Sequence, residues 1–280
     1  MDNTLEPRDK FITANSLRLH YLDWGNPSSI PIVLLHGLCS NAHYWDFFAP
    51  KVANEYRLLA IDQRGHGESS WAESYSPRDY LLDLEVFVGS LNLGEFMLIG
   101  HSMGGINAII YAARHPDQVS ALAIVDIAPE IDAAGVKRME RERASEPKTF
   151  STEEEASLYM RKLEPRHSDE FIKHLTNYAL MRDCRGRLTF KYDKKLLGTE
   201  LRSPTWLWEY VNQIICPVSL VHGTESDMLS AEVAQTMAEN LSFGSVIDIE
   251  EAGHSVPGDN PESFEAAILD FLKSIELHRD

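Results

Sequence analysis

The sequence predicts an α/β protein with a mostly parallel central β-sheet flanked by helices. Three observations carry that reading. Continuous apolar runs of strand length recur along the chain. Segments with apolar residues at helical spacing lie between them. The alternation lapses once, for about eighty residues, and then resumes, as an insertion into one α/β core would make it.

Taken in order, "SLRLHYLDWG" alternates apolar and polar residues, as a half-exposed strand does, and "IPIVLLHG" is a buried strand closed by glycine. "NAHYWDFFAPKVANEY" has helical spacing in spite of Pro50. "RLLAID" is a second buried strand, and "SPRDYLLDLEVFVGSLNL" opens with a Ser-Pro helix signal. "FMLIGH" is a strand, "GGINAIIYAARHP" a helix that Pro116 ends, and "VSALAIVDIAP" a further strand. After the lapse come strand "PVSLVHG", helix "SAEVAQTMAENL", strand "SVIDIEE" and helix "PESFEAAILDFLKSIEL". The expected organisation is a core of residues 1–130 and 211–280, with residues 131–210 a helical cap insertion. That insertion carries 16 basic and 14 acidic side chains, whereas the whole 280-residue chain has a net charge of −17.

Charge and composition exclude some functions. Nucleic-acid binding needs clustered Lys and Arg, and a net −17 argues against it and against anionic membranes. No apolar run is long enough to span a bilayer. The N-terminus "MDNTLEPRDK" lacks the apolar core of a secretory signal. Cys39, Cys184 and Cys216 are odd in number and show no metal-ligand spacing. The expectation is a reduced, cytoplasmic setting, with no metal and no cofactor.

"GHSMG", Gly100 to Gly104, matches G-x-S-x-G and lies between a strand and a helix. A sharp strand-to-helix turn there displays the central side chain, Ser102, and the flanking glycines relieve the crowding. The helix N-terminus behind it favours developing negative charge.

With "LLHGLCSNAHYW", "IDQRGHGESS", "IGHSMGG" and the late pair "VHGTESDML" and "EEAGHSVPGDNPESF", the chain resembles the α/β-hydrolase fold superfamily over nearly its whole length. The resemblance implies a triad in the order Ser, Asp or Glu, His. Ser102 is then the nucleophile. His254, in the loop after the last strand, is the base; His278 lies in the tail. Asp227 is the expected acid, with Glu225 its rival and Asp126 a further alternative. Asp248 and Asp259 read as surface positions. The backbone N–H groups of Met103 and Leu38 form the expected oxyanion hole. His36 and Gly37 form the family's "HG" turn, and Asp62 and Arg64 hold the D-x-R-G-x-G-x-S loop near the site. His101 reads as a packing residue. Tyr44, Trp45, Tyr159, Tyr178, Trp206 and Trp208 are pocket candidates.

These features imply a serine esterase of small to medium acyl chains, or of lactones, with a small-molecule ester as its partner. Ser102 disfavours relatives whose nucleophile is Asp. C–C bond hydrolysis of the meta-cleavage type is the enzymatic alternative, and a non-catalytic small-molecule receptor is the alternative from another class.

Overall fold

The computed structural model describes residues 6–198 and 202–276. His278 lies outside the described residues. The strands are β1 (Arg8–Ala14), β2 (Leu17–Trp24), β3 (Pro31–Leu35), β4 (Arg57–Ile61), β5 (Phe96–His101), β6 (Val119–Val125), β7 (Leu180–Arg182), β8 (Leu188–Phe190), β9 (Val218–Gly223) and β10 (Gly244–Ile249). The helices are α1 (Ala49–Val52), α2 (Pro77–Ser90), α3 (Met103–Arg114), α4 (Ala133–Ser145), α5 (Glu153–Leu163), α6 (Asp169–Ala179), α7 (Trp208–Val211), α8 (Ala231–Asn240), α9 (Val256–Asp259) and α10 (Pro261–Glu276).

Eight strands form one sheet in the order β1-β2-β4-β3-β5-β6-β9-β10. The pairs β1–β2 and β2–β4 are antiparallel, and every other pairing in the sheet is parallel. The central strands are apolar throughout because both of their faces are covered. On one face α2, α3 and α8 bury Phe87, Ile109 and Met237 among Val33, Leu98 and Leu220. On the other, the segment from Ala42 to Ala53 and helix α10 bury Trp45, Phe48, Phe264 and Ile268 against Ile32, Ile99 and Ala123.

Local chemistry sets the helix boundaries. α2 begins with a reciprocal capping box, Ser76 with Asp79, and Pro77 occupies its first turn. Ser168 and Ser230 cap α6 and α8 by accepting from Phe171 and Val233 N–H groups.

Three sequence readings need revision. β1 precedes the first expected strand and extends the sheet at its edge. The single helix expected over "NAHYWDFFAPKVANEY" is two short pieces: a 3-10 turn at Ala42–Trp45, and α1, with Pro50 in its first turn. Between β6 and β9 the chain is not wholly helical, since β7 and β8 form an antiparallel pair joined by the turn that Asp183 braces. Around that pair Phe150, Leu188, Phe190, Tyr192 and Leu196 make a separate apolar cluster. Near the end of this stretch Leu207 and Val211 pack into the main core beside α3.

Candidate active site

The site grows from the ends of β5 and β6 and the loop after β10. The chain leaves β5 at His101 and enters α3 at Met103, so a single residue makes the turn. Ser102 takes that position with φ +52°, and its N–H donates to Val125 O at 3.0 Å. A non-glycine residue at positive φ is strained, and such strain clusters at functional positions. The turn needs room. A Cβ on Gly104 would meet Leu35 O at 2.2 Å, and one on Gly37 would meet His101 Nδ1 at 2.8 Å. These glycines, with Gly100 beside Gly104, let the loop after β3, the turn and α3 approach one another closely.

Ser102 Oγ lies 3.0 Å from His254 Nε2, and His254 Nδ1 lies 2.8 Å from Asp126 Oδ2. A carboxylate only accepts, so the ring proton belongs on Nδ1, and Nε2 is left to accept from the serine hydroxyl. His101 braces His254 from behind: its Nε2–H donates to His254 O at 2.9 Å, and its ring stacks on Tyr44. Burial holds the His101 imidazole well below its usual range, so it stays neutral.

The acid expected from sequence, Asp227, is not at the base. Arg138 of α4 holds it through two hydrogen bonds, Nε to Oδ2 at 2.7 Å and Nη2 to Oδ1 at 2.9 Å. Burial opposes ionisation there, but the guanidinium outweighs it and keeps the Asp227 carboxyl below the usual range. Its rival Glu225 pairs with Arg166. Asp126, with no exposed surface, takes the position at His254. It follows β6 directly with φ +52°. Its carboxylate also accepts from the Gly223 N–H at 3.1 Å and from the Ser226 hydroxyl. The loop after β9 therefore presents Ser226 to Asp126 while its next residue faces Arg138. Asp248 accepts from His222, and Asp259 accepts from the Gly253 N–H at 2.8 Å.

The other motif residues hold the floor of the site. Asp62, fully buried, accepts from the Ala42 N–H at 2.6 Å, the Glu68 N–H at 2.8 Å and the His20 ring at 2.8 Å. Gln63 donates its amide to His36 O at 2.7 Å and accepts from Asn107. His36 donates to Gly37 O at 2.7 Å through Nδ1 and accepts the Gln63 N–H at Nε2. His66 accepts the Cys39 N–H at 3.2 Å. Burial, then the neighbouring His36, pushes the His66 ring down to about 3, so its Nε2 stays an acceptor. Arg64 binds Asp83 in two parallel hydrogen bonds, at 2.6 and 2.7 Å.

A cavity of about 200 Å³ opens above Ser102. Leu38, Cys39 and Tyr44 line it from the core side. Arg138, Tyr159, Met160, Glu164, Leu175, Phe190 and Tyr192 line it from the stretch between β6 and β9. Of the aromatic candidates, Tyr44 and Tyr159 reach the cavity. Trp45 is core, Trp206 is exposed, Trp208 packs against the core, and Tyr178 stacks on His43. Leu38 lines the same cavity as Ser102, and the Met103 N–H opens α3, where first-turn N–H groups have no partner within the helix.

Beside the base, Ser255 donates to Glu164 Oε1 at 3.0 Å. Burial, then the charge of Asp259, pushes the Glu164 carboxyl up to about 7. Two clusters have the ligand types of a metal site: Glu164 with His167 and Asp259, and His43 with Asp46 and His174. Among the described residues no helix is long and apolar enough to cross a membrane.

A sequence profile of the alpha/beta hydrolase fold matches residues 30–261. A 3-hydroxybutyrate-oligomer hydrolase of Cupriavidus necator is 26% identical over 258 residues, covering 85% of this chain and 87% of its own. An esterase of Mycobacterium tuberculosis is 29% identical over 264 residues, covering 91% and 85%. The crystal structure of an alpha/beta hydrolase from Novosphingobium aromaticivorans superposes with a TM-score of 0.82 at 28% identity, covering 96% and 98%.

Proposed function

Because the chain belongs to the alpha/beta hydrolase fold family, we propose that this hydrolase cleaves carboxylic esters of small to medium acyl chain, or lactones, with Ser102 as nucleophile, His254 as base and Asp126 as the acid that orients it. The observation that carries the reading is the unbroken hydrogen-bond chain from Ser102 through His254 to Asp126 at the base of a cavity. Esterase and lipase relatives support the same class.

In this mechanism His254 Nε2 takes the Ser102 proton as Oγ attacks the ester carbonyl. The oxyanion is held by the N–H groups of Met103 and Leu38. Collapse of the tetrahedral intermediate breaks the ester C–O bond, and the proton on His254 passes to the departing alkoxide. Water then enters, gives a proton to His254 and attacks the acyl-enzyme; the acid is released and Ser102 Oγ is reprotonated. Asp126 keeps the imidazole in the tautomer that accepts at Nε2 and stabilises the imidazolium. Residues 131–210 act as the cap: α4, α5 and α6 supply the wall that selects the acyl chain. That wall mixes aliphatic and aromatic side chains with Arg138 and Glu164, which suits an acyl chain with some polarity better than a long lipid tail.

The test is hydrolysis of p-nitrophenyl esters from acetyl to octanoyl, wild type against Ser102→Ala, together with labelling by a fluorophosphonate. Turnover of short chains that the substitution abolishes, with labelling of the wild type alone, is the expected result. Absence of both turnover and labelling would sink the reading and favour a receptor on the same fold.

A further inference from the structure

His43, Asp46 and His174 meet outside the Ser102 cavity, and none of the three lines it. Two of them share a turn. Asn41 accepts the His43 N–H and starts the 3-10 turn Ala42–Trp45, and the three-residue spacing to Asp46 then puts both side chains on one face. The third comes from α6. Both imidazoles converge on one oxygen: Asp46 Oδ2 is 2.7 Å from His43 Nδ1 and 3.0 Å from His174 Nε2. All three candidate donor atoms lie within 4.8 Å of one another. The carbonyl oxygen of His43 lies 3.2 Å from His174 Nε2. The other carboxylate oxygen, Asp46 Oδ1, is buried and has no hydrogen-bond partner among the described residues.

We propose that this His-Asp-His cluster is a binding site for a divalent transition cation of the zinc class, which ties α6 to the turn after the oxyanion loop.

The donor set argues for that class of ion. Two imidazole nitrogens with one carboxylate suit zinc, copper or nickel. Magnesium and calcium prefer all-oxygen shells. Metal–ligand bonds of about 2.0–2.1 Å place tetrahedral donors about 3.3 Å apart. The separations of 2.7 and 3.0 Å are shorter than that by about 0.6 and 0.3 Å, so the His43 and Asp46 side chains have to rotate apart to admit the ion. Each neutral ring then carries its one proton on the nitrogen away from the ion and coordinates through the other. The rings are held for the purpose: His43 stacks on Tyr178 with centroids 3.5 Å apart, and His174 sets its edge against Phe47. The ligand side chains are 11–21% exposed, which leaves a route for the ion and room for a water ligand. Occupancy would reach the cavity through α6, whose Leu175 and Ala179 form part of its wall.

The experiment is calorimetric titration of chelator-stripped, tag-free protein with zinc chloride, and with magnesium chloride for comparison. Wild type should take up one equivalent of zinc and show no saturable magnesium uptake. His174→Gln, or His43→Gln if that variant does not fold, should weaken zinc binding at least tenfold. Glu164→Gln, in the other cluster, should leave it unchanged. Cobalt substitution should give visible ligand-field bands in the wild type that the histidine variants lose. The proposal fails if wild type binds no zinc, if the histidine variants bind as tightly as wild type, or if Glu164→Gln is the variant that loses it.

Discussion

Arg138 grips Asp227 from α4 with a planar two-bond contact, at 2.7 and 2.9 Å, and so holds away from His254 the carboxylate that sequence order nominates. The pair joins α4 to the loop after β9. Arg138 also reaches Glu142, one turn further along α4.

The first prediction separates the two carboxylates. Asp126→Asn should lower kcat for p-nitrophenyl butyrate by about 10⁴-fold, because the amide favours the wrong imidazole tautomer. Asp227→Asn should keep kcat within about threefold of wild type and cost about 1 kcal/mol or less, since the pair is partly exposed. Steady-state kinetics and urea unfolding of the two variants decide it, and reversed phenotypes would restore Asp227 as the acid.

How far the site could be read from sequence follows from this pair. The turn that displays Ser102 is legible because its motif is local: a strand, one crowded residue and a helix. The approach of His254 to Ser102 is legible because its loop follows the last strand of the sheet. The carboxylate that pairs with His254 is not, because β6 and β9 are parallel neighbours whose ends lie at the same edge of the sheet. A carboxylate after either strand is close in space to the base, and linear order says nothing about which turns inward. Asp126 does so through its positive φ and its bond to the Gly223 N–H. The edge strand β1 was missed because "RDKFITA" is largely exposed, with no apolar run to mark it. β7 and β8, three residues each, are too short to show a period.

A second prediction concerns Arg64. Its pairing with Asp83 is buried on both sides, and Ser74 O takes a further N–H at 3.0 Å. Arg64→Met should cost about 3–5 kcal/mol by stranding the Asp83 charge. The folded fraction should keep a KM close to that of wild type. A large rise in KM with little loss of stability would instead mark Arg64 as a substrate contact.

Gly104 gives a third. A Cβ there lies against backbone, not a side chain that can swing away. Gly104→Ala should cost about 3 kcal/mol or more, at the upper end of overpacking effects. Urea unfolding measures it, and a loss below about 1 kcal/mol would show that α3 can shift.

The fourth concerns pH. The Glu164 carboxyl is raised from its ordinary 4.5 to about 7, first by burial and then by Asp259. Between those values the folded chain binds more protons than the unfolded one, so this group makes stability fall as pH rises from about 4.5 to about 7. Glu164→Gln should remove that component and flatten the decline. Thermal unfolding at half-unit pH intervals tests it; an unchanged slope would place the group at its ordinary value.

The parallel sheet also fixes when hydrolysis can begin in the life of a chain. Ser102 and Asp126 are made early, whereas His254 follows them by 152 and 128 positions. In the proposed triad, a nascent polypeptide released from the ribosome as far as β9 would have Ser102 and Asp126 in hand and no His254. Only when β10 docks along β9, in a six-residue register, does the last loop arrive. With that triad, partly synthesised chains would lack hydrolytic activity, and fraying of the final strand and helix would switch the chemistry off while most of the sheet stayed intact.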